Sequence, residues 1–403
     1  MKKLLQFKYD GFVFLNILLL SIVLFEPSPS DFLFVILFFF GTINGYLNFK
    51  KLRNNVHIIF LFLSYFFASI PGIVFSVNVW SSLRYFTVTF YLFIFAIYMF
   101  LYIKDKNCML VIRANVLSTL IAAISGIIGF MGFFPEILLA YSDRAKGLFK
   151  DPNVYGPFLI PTIILLLNDL TEKKVFKTNR LVHISVIIVV TVGVILSFSR
   201  AAWINLCIAV LIYLILNFKR CKVLILSIIT LVVLMSGILL LNTADSKILS
   251  FLQQRAQIQE YDQDRFASQR AGLEIFYRNP LGCGPGQYES AILELTGIKI
   301  SAHSLYIRVL AENGVFGFIL FFTALISICI RLLIIHIKKT EETGFNSSVL
   351  LSIIIGLMVN SVVVDTLHWR HMWFFFGLGL FNIYKYSVKR PCDVRDGRFK
   401  LND

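Results

Sequence analysis

Apolar residues in this chain fall into long unbroken blocks separated by short polar connections, not into one-sided stripes. Blocks of about 16–24 apolar residues predict membrane-spanning helices. Twelve can be marked, at roughly 10–25, 32–49, 57–77, 84–103, 109–132, 154–170, 181–198, 202–217, 222–241, 306–330 (extendable to 337), 346–365 and 371–387. Several are short, which predicts tilted helices or a locally thinned bilayer. The expected fold is therefore all-α: a polytopic helical bundle of about 12 transmembrane helices, one integral membrane domain over residues 1–403. One long polar interval interrupts the pattern, from Asn242 to Gly317. Residues 242–304 of it read as a single large loop with short helices, among them an amphipathic one from Arg270 to just before Pro280 and another from Ser304 to Asn313.

Composition agrees with the pattern: 58% of residues are hydrophobic and 15% charged, with a mean hydropathy of +0.78, outside the range of soluble domains. The net charge of +15 could suggest a nucleic-acid partner, but its placement argues against one. Most Lys and Arg sit in alternate short connections and near both termini. The positive-inside rule then puts both termini in the cytoplasm and the loop 242–304 on the outer, extracytoplasmic side. Residues 389–403 read as a basic, disordered cytoplasmic tail near anionic lipid. The cysteines (108, 207, 221, 283, 329 and 392) show no CxxC or metal-ligand spacing and no disulfide framework. No small-residue cleavage site follows the first apolar block, which reads as a retained helix.

Candidate chemistry gathers in the outer connections. In 133–153 the run Asp151-Pro152-Asn153 is a turn signal, with Asn153 an expected N-cap. Arg200 falls in the tight turn between spans seven and eight, where a guanidinium needs an anion; the plainer reading is a snorkelling arginine beside Trp203. His303 precedes a helix in which Arg308 and Glu312 are spaced i, i+4. It is a candidate proton acceptor or an ordinary structural histidine. Arg270 stands out no more than Arg255, Arg265 or Arg278 on spacing alone. The turn Gly282-Cys283-Gly284-Pro285-Gly286 could cradle a phosphate through backbone N–H groups, though it lacks the GxGxxG spacing. Asp262-Gln-Asp264 is a weak metal-site form in a charged loop, and no convincing metal or cofactor motif is found. After span eleven come Asp365, His368, Arg370 and His371.

In order, Gly147-Leu-Phe-Lys-Asp151-Pro152-Asn153, Ser197-Phe-Ser199-Arg200-Ala-Ala-Trp203, Arg270 through Asn279-Pro280-Leu-Gly282-Cys-Gly284, and His303-Ser304-x9-Gly314-x-x-Gly317 resemble the O-antigen ligase and O-antigen polymerase-like membrane proteins. The resemblance runs from about residue 140 to 330. It implies an inverting, metal-independent glycosyltransferase, without cofactor, whose donor is a polyprenyl-diphosphate-linked glycan. Arg200 and Arg270 would bind the donor diphosphate, and His303 would orient or deprotonate the acceptor hydroxyl. Asp151, Asn153, Arg265 and Arg370 are expected in supporting roles. The pieces Gly147-Leu-Phe-Lys-Asp151-Pro152-Asn153 and Gly282-Cys-Gly-Pro-Gly286 look more like the polymerase branch, which joins lipid-linked repeat units into O-antigen, capsule or exopolysaccharide beside a chain-length regulator. A ligase would instead move finished glycan to lipid A–core or another acceptor. A flippase or transporter shares the span count, but it would carry polar groups at mid-membrane. A scaffold would tolerate loss of His303.

Overall fold

Every apolar block that falls within the described residues becomes a helix in the computed structural model, which describes residues 2–133, 140–141, 144–172, 176, 179–218, 260–338 and 345–395. The helices are α1 (Lys2–Leu18), α2 (Pro29–Ile43), α3 (Val56–Val74), α4 (Val79–Tyr102), α5 (Cys108–Phe130), α6 (Pro152–Glu172), α7 (Arg180–Leu196), α8 (Arg200–Leu216), α9 (Glu260–Arg278), α10 (Tyr288–Thr296), α11 (Leu305–Ile337), α12 (Ser347–Asn360) and α13 (Arg370–Arg395). A two-residue hairpin, β1 (Ala140–Tyr141) with β2 (Arg144–Ala145), precedes α6. The expected ninth span, 222–241, lies outside the described residues, as do Arg255 and residues 396–403. Among the described residues, six helices are long and apolar enough to cross a membrane, and four shorter apolar ones accompany them. Large apolar side chains point outward on several of these (Phe39, Phe60, Phe67, Leu211, Ile319), as lipid contact requires. The chain is a multi-pass membrane protein. Helix α13 continues past Lys389 to Arg395.

Helices α3, α4, α11 and α13 pack together, and α5, α6, α7, α8 and α12 form the neighbouring group. Phe62, Phe321 and Trp373 interlock at 5.8–6.2 Å between α3, α11 and α13. At one end of the bundle, Lys51 donates to the carbonyls of Phe100, Leu101 and Ile103, and Lys385 pairs with Asp105. These come from the connections that carry the basic runs. Other connections meet at the opposite end: Val23 donates to the Leu148 carbonyl (2.8 Å), Arg144 to that of Ser197 (2.9 Å) and Leu305 to that of Ser361 (3.0 Å).

Helix α11 is two helical pieces joined at Gly314 (φ 66, ψ −172). Only glycine adopts that conformation readily. The break is closed by the glycine turn: Cys283 and Gly284 donate to the carbonyls of Ala311 and Glu312 (2.9 Å each), and Val315 donates to Pro280 (3.0 Å). The loop is thereby laced to α11. Gly284 also lies backbone to backbone against Gly72 of α3.

Candidate functional site

His303 sits on the last residue before Ser304, which caps α11 with its hydroxyl. Gln269 of α9 donates both to the His303 carbonyl (3.4 Å) and to that of Val362 (3.2 Å), which ties α9 to the α12–α13 connection around the histidine. The imidazole is half-buried. Burial and the nearby Arg265 and Arg308 charges hold its pKa below the ordinary value, while Asp151 and Asp365 pull the other way. The result is a neutral ring near pH 7, able to accept a proton. Of the residues expected in the site, Arg265 and Asp151 both act on His303. Arg270 is exposed on α9.

One turn into α11, Arg308 is buried among three carboxylates. It meets Glu312 at 2.7 Å and Glu289 of α10 at 2.5 Å. Its Nε lies 2.7 Å from Asp365, an ion pair at an angle too poor for a hydrogen bond. Tyr85 and Tyr288 flank its plane at 5.3 and 5.4 Å. Removing one partner of such a buried pair typically costs about 3–5 kcal/mol. The cluster fixes three separate segments beside His303: α10, the start of α11 and the connection before α13. The i, i+4 spacing of Arg308 and Glu312 was visible in sequence; Glu289 gave no signal, because its partner lies 19 residues away on another helix.

The Asp-Pro-Asn turn works differently from the expectation. Asp151, not Asn153, occupies the capping position: its carbonyl accepts from Val154 and Tyr155, and its carboxylate from the Asn153 N–H at 2.7 Å. Pro152 opens α6, a position proline favours. Asn153 instead accepts from Arg144 at 3.0 Å, and Arg144 also reaches the Ser197 carbonyl, so the turn before Arg200 is bound to the start of α6. Phe198 takes a left-handed conformation (φ 47) and Ser199 caps α8. Helix α8 runs antiparallel to α12, with Asn205 against Gly356 and Asn217 bonded to Ser348 at 2.9 Å. Arg200, the first residue of α8, is thus level with the end of α12, where Ser361 holds Leu305. The Trp203 indole donates to the Val194 carbonyl (3.3 Å).

Arg370 and the glycine turn both make structural contacts. Arg370 is engaged by Asp31 of α2 through two bonds of 2.7 and 2.6 Å, so it joins α13 to α2. The N–H groups of Gly282, Cys283 and Gly284 donate to carbonyls of Asn279, Ala311 and Glu312, so these three offer nothing to a phosphate. The glycine turn is a structural seam.

Residues 184–322 match the model of the O-antigen ligase family. The chain carries an O-antigen ligase-like domain. Its boundaries lie inside the stretch over which the motifs resemble that family. The ligase-like domain contains Arg200, Arg265, Arg270, His303, Arg308 and Glu312, and it leaves out Asp151, Asn153, Asp365 and Arg370. No curated protein matches the chain.

Proposed function

We propose that this protein is a membrane glycosyltransferase that polymerises polyprenyl-diphosphate-linked oligosaccharide repeat units on the outer face of the cytoplasmic membrane. The observation that carries the reading is the place of His303: half-buried just before α11, tied by Gln269 to the α12–α13 connection, in a ligase-like domain whose Arg200 opens α8 at the same end of the bundle. In this mechanism His303 takes the proton of the acceptor hydroxyl as its oxygen attacks the anomeric carbon from the side opposite the diphosphate. The glycosidic bond forms as the bond to the diphosphate breaks, with inversion. Arg200 and Arg270, aided by Arg265, neutralise the leaving diphosphate. No nucleotide sugar is needed outside the membrane, because the donor carries its own leaving group. In this reading twelve spans put both termini in the cytoplasm, and the acceptor is a second lipid-linked unit whose final length a separate regulator sets.

The second reading, transfer of finished glycan to lipid A–core or another acceptor, is favoured by the description of the matched family. The two separate in a deletion strain complemented with wild type, Arg200→Ala, Arg270→Ala or His303→Ala at matched membrane levels. Single repeat units on the surface carrier identify a polymerase; long chains held on the polyprenyl lipid identify a ligase. Normal glycan from all three variants would sink both.

A further inference from the structure

Two positions before Arg200, Phe198 is the sole non-glycine residue with a left-handed backbone among the described residues (φ 47). A bulky side chain rarely takes that conformation and keeps it only where its surroundings impose it. The peptide units on both sides of Phe198 are tied. In the unit before it, the Phe198 N–H donates to the Ile195 carbonyl (3.0 Å), and the Ser197 carbonyl accepts from Arg144 Nε (2.9 Å). In the unit after it, the Ser199 N–H donates to the Ser197 hydroxyl (3.3 Å). The buried ring packs against Phe130, at the end of α5, and against Trp203 (6.1 and 6.4 Å). Turning over the Ser197–Phe198 unit is the move that would return Phe198 to negative φ. Of the hydrogen bonds that oppose it, only the one from Arg144 comes from outside the turn.

Arg144 is well placed to hold that carbonyl. It is buried on β2, and its fork reaches two acceptors at once, because Nη2 donates to Asn153 at 3.0 Å while Nε holds Ser197. The Asn153 N–H in turn donates to the Asp151 carboxylate, whose charge bears on His303. A run of hydrogen-bonded residues thus leads from Asp151 through Asn153, Arg144 and Ser197 to Ser199, whose hydroxyl caps the first turn of α8 (3.4 Å from the Ala202 N–H). The hairpin stands on firm footing. Gly147 (φ 55) lies so close to α5 that an added Cβ would come within 2.8 Å of the Ser125 hydroxyl and 3.1 Å of the Ala122 carbonyl. Arg144, Asn153 and Asp151 all lie outside the segment 184–322.

We infer that Arg144 is a positioning residue: by holding the Ser197 carbonyl it keeps the turn in the form that sets where Arg200 meets the donor diphosphate. This rests on the donor role proposed for Arg200. Arg144 itself touches no substrate and acts through the turn. The ligase-like domain then supplies the charge, and a hairpin outside it fixes the place of that charge.

The test titrates full-length protein in detergent with polyprenyl diphosphate lacking any sugar. This probe carries the donor's leaving group and cannot be turned over. Wild type, Arg144→Gln, Arg200→Ala and the double variant form a cycle. Arg144→Gln is expected to weaken the probe about tenfold where Arg200 is present and less than about twofold where it is Ala. A residue that merely supports the fold would weaken binding equally in both backgrounds. In the transfer reaction kcat/KM for the donor should fall by a similar factor, while acceptor KM changes less than about threefold. Where Arg144→Gln fails to fold, Arg144→Lys, which keeps the charge but not the fork, runs the same cycle with a loss of about threefold. Equal losses in the two backgrounds overturn the role of Arg144 alone, as does full binding by Arg144→Gln when Arg200→Ala has lost it. Unchanged binding by Arg200→Ala overturns the donor role of Arg200, and that of Arg144 with it. A non-additive cycle in a wild-type protein that transfers no glycan would keep the positioning and remove the transferase reading.

Discussion

His303 illustrates how little a residue's type says and how much its surroundings add. As a lone histidine it was as compatible with a structural role as with proton transfer. Its position beside Arg265, Asp151, Asp365 and Arg308 came from segments that are far apart in the chain, and only the fold brings them together. The direction of its shift gives a prediction. The neutral base is the active form and its pKa is held below the ordinary histidine value, so rate should be flat near neutral pH. Below that lowered pKa it should fall about tenfold per pH unit. Arg265→Gln removes one charge that opposes protonation, so the acid limb should move to higher pH. A kcat/KM profile measured on both proteins checks this; an acid limb that stays put would remove Arg265 from the site. Arg308 teaches the complementary lesson. Its helical spacing to Glu312 could be read directly, but Asp365 and Glu289 could not, since ion pairs between helices leave no period in the sequence.

Among the elements, apolar blocks were the legible part, because a spanning helix must satisfy its backbone internally and so writes a long uniform stretch. All but one of the expected spans, the one outside the described residues, coincide with helices. What could not be read was how the polar interval attaches. The glycine turn looked like a loop feature, and the structure makes it the partner of a break inside α11. Gly314→Ala should therefore be costly twice over. Its backbone angles are nearly forbidden to a side chain, at about 1–3 kcal/mol, and an added Cβ would meet the backbone of Pro280 and Leu281. Thermal unfolding in detergent should show a clearly lowered midpoint. Gly45→Ala also introduces strain (φ 69) but meets nothing within 4 Å, and it should cost less. Equal losses would mean that the seam contributes little.

At the scale of the whole molecule, the alternation of basic connections corresponds to a physical division, with Lys51 and Lys385 at one end and His303, Arg144 and Asp365 at the other. The membrane orientation of that division is testable. On a background without the native cysteines, Lys150→Cys and Lys104→Cys, both at exposed positions, can be offered a membrane-impermeant maleimide in intact cells. Lys150→Cys should react at once and Lys104→Cys only after the membrane is opened. The reverse pattern would turn the protein over and place the site in the cytoplasm. The closeness of Glu26, Lys150 and His371 could not have been read from sequence at any scale: two sit in connections and the third at the start of α13, and they meet only because α1, α5, α6 and α13 pack as they do.

The lacing of the polar interval to α11 has a practical side. Long hydrophilic segments of membrane proteins are the usual places to insert an epitope or a fluorescent reporter. Here residues 280–286 are the wrong place, since an insert would unlace Cys283, Gly284 and Val315 from their carbonyl partners. The end of α10 is the right one: Gly297 has open space around it and Ile298 beside it is exposed. A reporter placed there would ride on the molecule without holding the seam apart.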